Sequence, residues 1–248
     1  LIEIKRLCKD YGRIRAVNNL NLTVGRGEFF GFLGPNGAGK TTTIKIMAGL
    51  LRTTSGEVSL GGFDLRREMF EAKRISSYIP DKPFLYEKLT GREFLRFVSG
   101  LYRVAEDDFG GRAEELIETF SMTEWIDDMV EGYSHGMKQK LVMAQALIHD
   151  PKIIIVDEPM VGLDPRSIKI VKELFSGLAR KGVTIFMSTH TLGHAQEMCD
   201  RIGIIHKGQL VAVGTIDELM KTAHAKRREL EEIFFTLTEE ESDSGAAG

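Results

Sequence analysis

Hydrophobic positions along this 248-residue chain follow two periods. Residues 28–33 (Glu28-Phe29-Phe30-Gly31-Phe32-Leu33) and 152–157 (Lys152-Ile153-Ile154-Ile155-Val156-Asp157) are short runs apolar on both faces. Such runs suit central strands of a parallel sheet, which is covered on both sides. Helical spacing takes over at residues 43–50, and again at 90–103, where Phe94, Leu95, Val98, Leu101 and Tyr102 share one stripe. Residues 111–130 predict one or two more helices, and a further helix runs to about His149 with Leu141, Ala144, Gln145 and Ile148 in register. Helices near 166–180 and 191–199 then alternate with strands near 183–187 and 202–206, a βα alternation that predicts a parallel sheet. Residues 1–33 alternate apolar and polar between turn signals at Asp10-Tyr11-Gly12 and Gly25-Arg26-Gly27, and predict antiparallel strands beside that sheet. The tail from Ile216 is helical in composition, with Leu230, Ile233, Phe234 and Phe235, and then turns acidic, with disorder expected over 242–248. No internal repeat is visible.

The chemistry starts where the first buried run ends. Gly34-Pro35-Asn36-Gly37-Ala38-Gly39-Lys40-Thr41-Thr42 fits the G-x-x-x-x-G-K-[ST] phosphate-binding loop, in the strand–loop–helix context the motif needs. A helix N-terminus offers unpaired N–H groups and partial positive charge to an anion. Glycines let successive N–H groups turn inward. Lys40 is expected to reach the β- and γ-phosphates and the Thr41 hydroxyl to ligate Mg²⁺.

Two further segments gain meaning beside that loop. The 152–157 run ends in Asp157-Glu158-Pro159, and ligands of open α/β sheets sit at the carboxyl ends of strands. Asp157 is therefore placed near Mg²⁺, and Glu158 near the γ-phosphate, where it would orient or deprotonate a water. Alone, this is equally a strand ending in an acidic turn. Tyr133-Ser134-His135-Gly136-Met137 opens a helix with Ser134 as N-cap, which is either an ordinary capped helix or a second anion site.

Composition narrows the setting. The net charge of −3 argues against general nucleic-acid binding. Two cysteines, Cys8 and Cys199, make no disulfide framework and fit a reducing compartment. The apolar runs are far too short to span a bilayer, and the N-terminal residues show no signal-peptide pattern. His149, His194, His206 and His224 lack metal-ligand spacing, Trp125 reads as a core or subdomain anchor, and Lys226-Arg227-Arg228 reads as a solvated helix face.

Taken in order, these motifs resemble the ATP-binding subunit of an ABC transporter, over residues 1 to about 220. Tyr11 resembles the aromatic that stacks on adenine, and Gly34 to Thr42 the Walker A loop, with Asn36, Gly37, Ala38, Gly39, Lys40, Thr41 and Thr42 on the nucleotide. Asp81 stands at the Q-loop position. Ser134, His135, Gly136 and Met137 resemble the signature, and Ile153 to Glu158 resembles Walker B with the catalytic glutamate. Gly162-Leu163-Asp164 resembles the D-loop, and His190 the switch histidine. The resemblance implies an α/β fold: a P-loop NTPase core with a parallel sheet, an N-terminal antiparallel β subdomain, an inserted α-helical subdomain at about 87–132, and a C-terminal extension over 221–248. It also implies ATP and Mg²⁺ as ligands, with Thr41, Asp157 and Asp81 at the metal.

The implied working unit is a head-to-tail dimer, with itself or a paralogue, in which the Ser134 turn of one subunit closes on the nucleotide of the other and Asp164 couples the two sites. The implied partner is a separate membrane permease, export favoured over import, with the chain held at the cytoplasmic face of the membrane. The apolar group Phe84, Leu85, Tyr86 and Leu89 belongs either to the docking surface or to packing within the insert. A soluble ABC ATPase acting on ribosomes or DNA, and a small-molecule P-loop kinase, are the competing readings. Two positions depart from the usual family pattern. At 81 an acid replaces glutamine; ionised, it cannot donate a hydrogen bond, and an anion about 4 Å from a phosphate charge costs about 4 kcal/mol at an effective dielectric of 20. Asp81 is therefore expected to touch Mg²⁺ or the attacking water only transiently. Met137 has no amide, leaving Ser134 and backbone N–H groups to meet phosphate.

Overall fold

The computed structural model describes residues 1–82, 84–223 and 229–244, with side chains described as far as Thr238. In chain order the elements are β1 (Ile2–Tyr11), β2 (Ile14–Val24), β3 (Phe29–Leu33), α1 (Lys40–Met47), β4 (Ser55–Leu60), β5 (Phe63–Asp64), α2 (Met69–Arg74) and β6 (Ser76–Ile79). Then come α3 (Gly91–Leu101), α4 (Glu106–Thr119), a single 3₁₀ turn (Val130–Gly132), α5 (His135–Leu147), β7 (Ile153–Asp157), α6 (Pro165–Arg180) and β8 (Thr184–Thr189). The chain continues through α7 (Leu192–Met198), β9 (Arg201–His206), β10 (Gln209–Gly214), α8 (Ile216–Thr222) and α9 (Leu230–Ser244).

Two sheets form. One is antiparallel, in the order β2-β1-β4-β5; the other runs β10-β9-β3-β8-β7-β6. In the second, β3, β6, β7, β8 and β9 pair in parallel, and β10 joins its edge antiparallel. The central strands β3, β7 and β8 are buried at every residue, apolar through most of their length, with Asp157, Ser188 and Thr189 at their carboxyl ends. Alternate residues serve opposite layers. Phe30, Phe32, Ile153, Ile155 and Phe186 pack with Ile44 of α1 and the antiparallel sheet, whereas Phe29, Ile154, Val156, Ile185 and Met187 pack with α3–α6. Phe186 sits between Phe30 and Phe32, with ring centroids 5.5 and 5.2 Å away.

Local signals set the helix starts. Thr90 caps α3 in a capping box with Glu93, and Thr215 caps α8 with Glu218. Trp125 packs edge-on against Tyr133 at 4.9 Å, and the Tyr133 hydroxyl donates to the Trp125 carbonyl at 2.8 Å, which anchors the loop before α5.

Several expectations need correction. Leu101, placed on the buried stripe of α3, is 67% exposed, because it is the last residue of the helix and Tyr102 turns the chain away. Helix α4 starts at Glu106, five residues before the expected stretch, with three acids in its first turn. Within 1–33, residues 29–33 form no antiparallel strand but join the parallel sheet. The backbone of α9 is helical through Ser244; residues 245–248, His224 and Lys226-Arg227-Arg228 lie outside the described residues. The group at 84–89 divides: Leu85 is buried and Leu89 packs against the core, while Phe84 and Tyr86 stay exposed.

Candidate functional site

The carboxyl ends of β3, β7 and β8 lie side by side, because Leu33 pairs with Thr189 and Asp157 with Ser188. The loop 34–39, the acids 157–158 and the segment 188–190 therefore meet at one edge of the sheet.

The loop after β3 wraps against β2 and β9. At Gly39, φ is +106°, and a Cβ would lie 2.5 Å from the Ala16 carbonyl oxygen; at Gly34 a Cβ would lie 2.3 Å from the Ile205 carbonyl oxygen. Only glycine fits either position. Gly37 faces the other way, and a Cβ there would meet nothing within 4 Å, so that side of the loop is open to a ligand. Lys40 opens α1 and is only 8% exposed. Its Nζ donates to the carbonyls of Gly34 at 2.6 Å and Pro35 at 3.1 Å, spanning the loop from inside. Burial pulls the Lys40 pKa down, against the opposing pull of Glu158 and Asp157.

Asp157 is almost fully buried. Ser188 Oγ donates to its Oδ1, while its Oδ2 is buried without a hydrogen-bond partner among the described residues. Burial raises the Asp157 pKa; Ser188 and Thr41 hydroxyls oppose this, and the charges of Asp81 and Glu158 add to it. An orphaned carboxylate oxygen beside the Thr41 hydroxyl, at the foot of an anion loop, fits a hard cation. No group of three or more His, Cys, Asp or Glu among the described residues could hold a metal alone, so phosphate oxygens or water would complete the shell.

Glu158 takes a left-handed backbone, φ +51°, with its N–H donating to the Ser188 carbonyl at 3.1 Å. A non-glycine residue there is strained by about 1–3 kcal/mol, and the strain turns its side chain toward β8. Thr189 Oγ1 donates to Glu158 Oε2 at 3.2 Å, and His190 Nδ1 lies 2.7 Å from Oε1. Ser188 and Thr189, which hold the two acids, were not singled out from the sequence. Their only signal is that they precede His190 at the end of a buried strand.

Other expected site residues lie apart or in other roles. Tyr11 ends β1 half-exposed, with Lys9 Nζ 5.1 Å from its ring centre. Asp81 is exposed and accepts the Lys82 N–H at 2.8 Å, yet its charge is felt at Asp157. Ser134 caps α5, accepting from Met137 N at 3.3 Å, and Ser134 N donates back to Met137 Sδ at 3.4 Å, a capping box closed by sulfur. Asp164 caps α6, accepting from Arg166 N, Ser167 N and Ser167 Oγ, which hold its carboxyl below the usual range.

Residues 17–161 match the protein-family model described as ABC transporter. The chain belongs to the ABC transporter ATP-binding family. The linearmycin resistance ATP-binding protein of Bacillus subtilis (strain 168) is 36% identical over 219 residues, which span 88% of this chain and 70% of that protein. A solved ATP binding subunit of an ABC transporter has a TM-score of 0.92 at 34% identity, over 96% of this chain and 99% of that one. The dimeric post-hydrolysis structure of the ATP-binding cassette MJ0796, bound to ADP and Pi, has a TM-score of 0.80 at 25% identity, over 87% of this chain and 98% of that one. The α/β fold expected from the motifs is thus that of ABC ATP-binding cassettes, and family membership makes the chain an ATP-binding subunit with ATPase activity.

Proposed function

We propose that this chain is a Mg²⁺-dependent ATPase that works as an ATP-dependent head-to-tail dimer, with itself or a paralogue, and powers export of a substrate through a separate membrane permease. The observation that carries the catalytic part is the convergence of Lys40, Asp157, Glu158 and His190 on one open loop edge.

Lys40 would trade its two loop carbonyls for phosphate oxygens, and the 34–39 loop would present its N–H groups to the same anion. Mg²⁺, held by Thr41 and Asp157 with Asp81 at its margin, would offset phosphate charge when bound. Glu158 would accept the proton of the attacking water, and Thr189 and His190 would hold its two oxygens for that task. Tyr11 would stack on adenine. The turn Ser134-His135-Gly136-Met137 would close on the nucleotide of the partner subunit, with Ser134 and first-turn N–H groups facing phosphate. Closure of two such halves makes ATP part of the interface, and hydrolysis releases it.

The dimeric MJ0796 structure supports the pairing, and the linearmycin resistance relative supports export. No helix among the described residues is long and apolar enough to cross a membrane. Family membership supports a transport path in a partner and this chain at the cytoplasmic face of the membrane. Exposed Phe84, Tyr86 and Phe97 form an edge-to-face aromatic group on the helical insert and offer a docking surface for it. The test is affinity capture of the chain from its own detergent-solubilised membranes with mass spectrometry. A stoichiometric multi-span membrane protein is the expected companion. Ribosomal or nucleic-acid-associated proteins without a permease would overturn the transport reading.

A further inference from the structure

His135 and Gly162 are in contact. His135 is the first residue of α5, directly after its cap Ser134, and its side chain is otherwise exposed. Gly162 lies in the turn between β7 and α6 with φ +79°. A Cβ at 162 would lie 2.5 Å from both Cδ2 and Nε2 of His135. The imidazole edge therefore occupies the space in which a side chain at 162 would stand.

The stretch after Glu158 links this contact to the catalytic edge. Val161 N donates to the Glu158 carbonyl at 3.3 Å and Leu163 N to the Met160 carbonyl at 3.4 Å. Asp164 then locks the far end to α6. Residues 158–164 are thus successive short turns with Glu158 at one end and a capped helix at the other. Movement of the His135 ring toward Gly162 would press on the loop and shift the turns leading to Glu158.

We propose that His135 is a positioning residue that ties the Ser134 turn to the 158–164 loop within one protomer. This rests on the head-to-tail dimer proposed above. In that dimer the Ser134 turn serves the partner's nucleotide and Glu158 its own, so the His135–Gly162 contact joins the two sites through a single chain. Nucleotide seated on one protomer's Ser134 turn would shift that protomer's own Glu158.

The test is ATPase rate against ATP concentration for the full chain and for His135→Ala, His135→Gln, Gly162→Ala and the double variant His135→Ala/Gly162→Ala. The wild-type chain is expected to show a Hill coefficient well above 1, bounded by about 2 for two coupled sites, and His135→Ala one of about 1. Equilibrium ATP binding to dilute monomer and the melting temperature should stay as in the wild type. His135→Gln keeps the bulk against Gly162 and should restore cooperativity. Gly162→Ala carries both backbone strain and the clash with His135 and should lower the Hill coefficient; in the His135→Ala background, where the contact is already gone, it should change the coefficient no further. A non-cooperative wild type, or His135→Ala with undiminished cooperativity, overturns the proposal. Failure of the dimer itself is read separately, from the mass of Glu158→Gln with ATP, and would remove both readings.

Discussion

His190 Nδ1 lies 2.7 Å from Glu158 Oε1, so the side chain that follows β8 holds the acid that follows β7. The strand register makes this possible, since Asp157 pairs with Ser188 and the next residues must turn toward each other. His190→Ala should leave Glu158 without its main partner and lower kcat by about 100-fold or more, the usual scale for a displaced general base, while ATP still binds. Thr189→Ala should act in the same direction and more weakly. Steady-state ATPase assays alongside equilibrium ATP binding decide this; a His190→Ala chain with wild-type turnover would rule out the positioning role.

Lys40 bridges the Gly34 and Pro35 carbonyls. Lys40→Ala removes both those contacts and the charge proposed to meet phosphate. Hydrogen bonds to charged groups contribute about 2 kcal/mol, so ATP affinity should fall about 30-fold. Calorimetry or nucleotide fluorescence reads this directly. An unchanged affinity would separate Lys40 from the nucleotide.

Asp81 adds to the negative potential at Asp157. An amide at this position is a weaker ligand for a hard cation than a carboxylate. Asp81→Asn should therefore raise the Mg²⁺ concentration needed for half-maximal ATPase several-fold. If both the Mg²⁺ dependence and the rate are unaltered, Asp81 has no part in the chemistry.

His149 stacks on Tyr102 at 3.6 Å, and its Nε2 lies 3.2 Å from the Ser76 carbonyl oxygen, joining the ends of α3 and α5 to β6. Burial pushes its pKa down to about 4 from 6.5. The folded state thus holds it neutral, and its contribution is complete above pH 6.5. As pH falls from 6.5 toward 4 the unfolded chain takes up the proton first, and stability is lost over that window. Between pH 7 and pH 5 the wild type should lose about 2 kcal/mol more than His149→Gln in urea unfolding. Equal losses in the two chains would show that His149 is not held neutral by the fold.

Much of the candidate site was legible because its parts are local. The phosphate loop and the run Ile153 to Val156 are contiguous signals, and Ser134 marks a helix start. What escaped notice was carried by weak strands or by pairing across the chain. β4 (Ser55–Leu60) and β6 (Ser76–Ile79) are short and rich in Ser, Gly or charge, so alternation is faint, and β10 shows only in its pairing with β9. Ser188 and Thr189 gain meaning only from the β7–β8 register, which no local pattern contains. The Asp164 carboxylate caps α6 within its own chain.

The account stands on ATP joining two protomers before Glu158 acts. Light scattering of Glu158→Gln on a sizing column, with and without ATP, measures that directly. The account predicts a monomer without nucleotide and a dimer with ATP, because binding is kept and turnover is lost. A chain that binds ATP tightly and remains monomeric would contradict it.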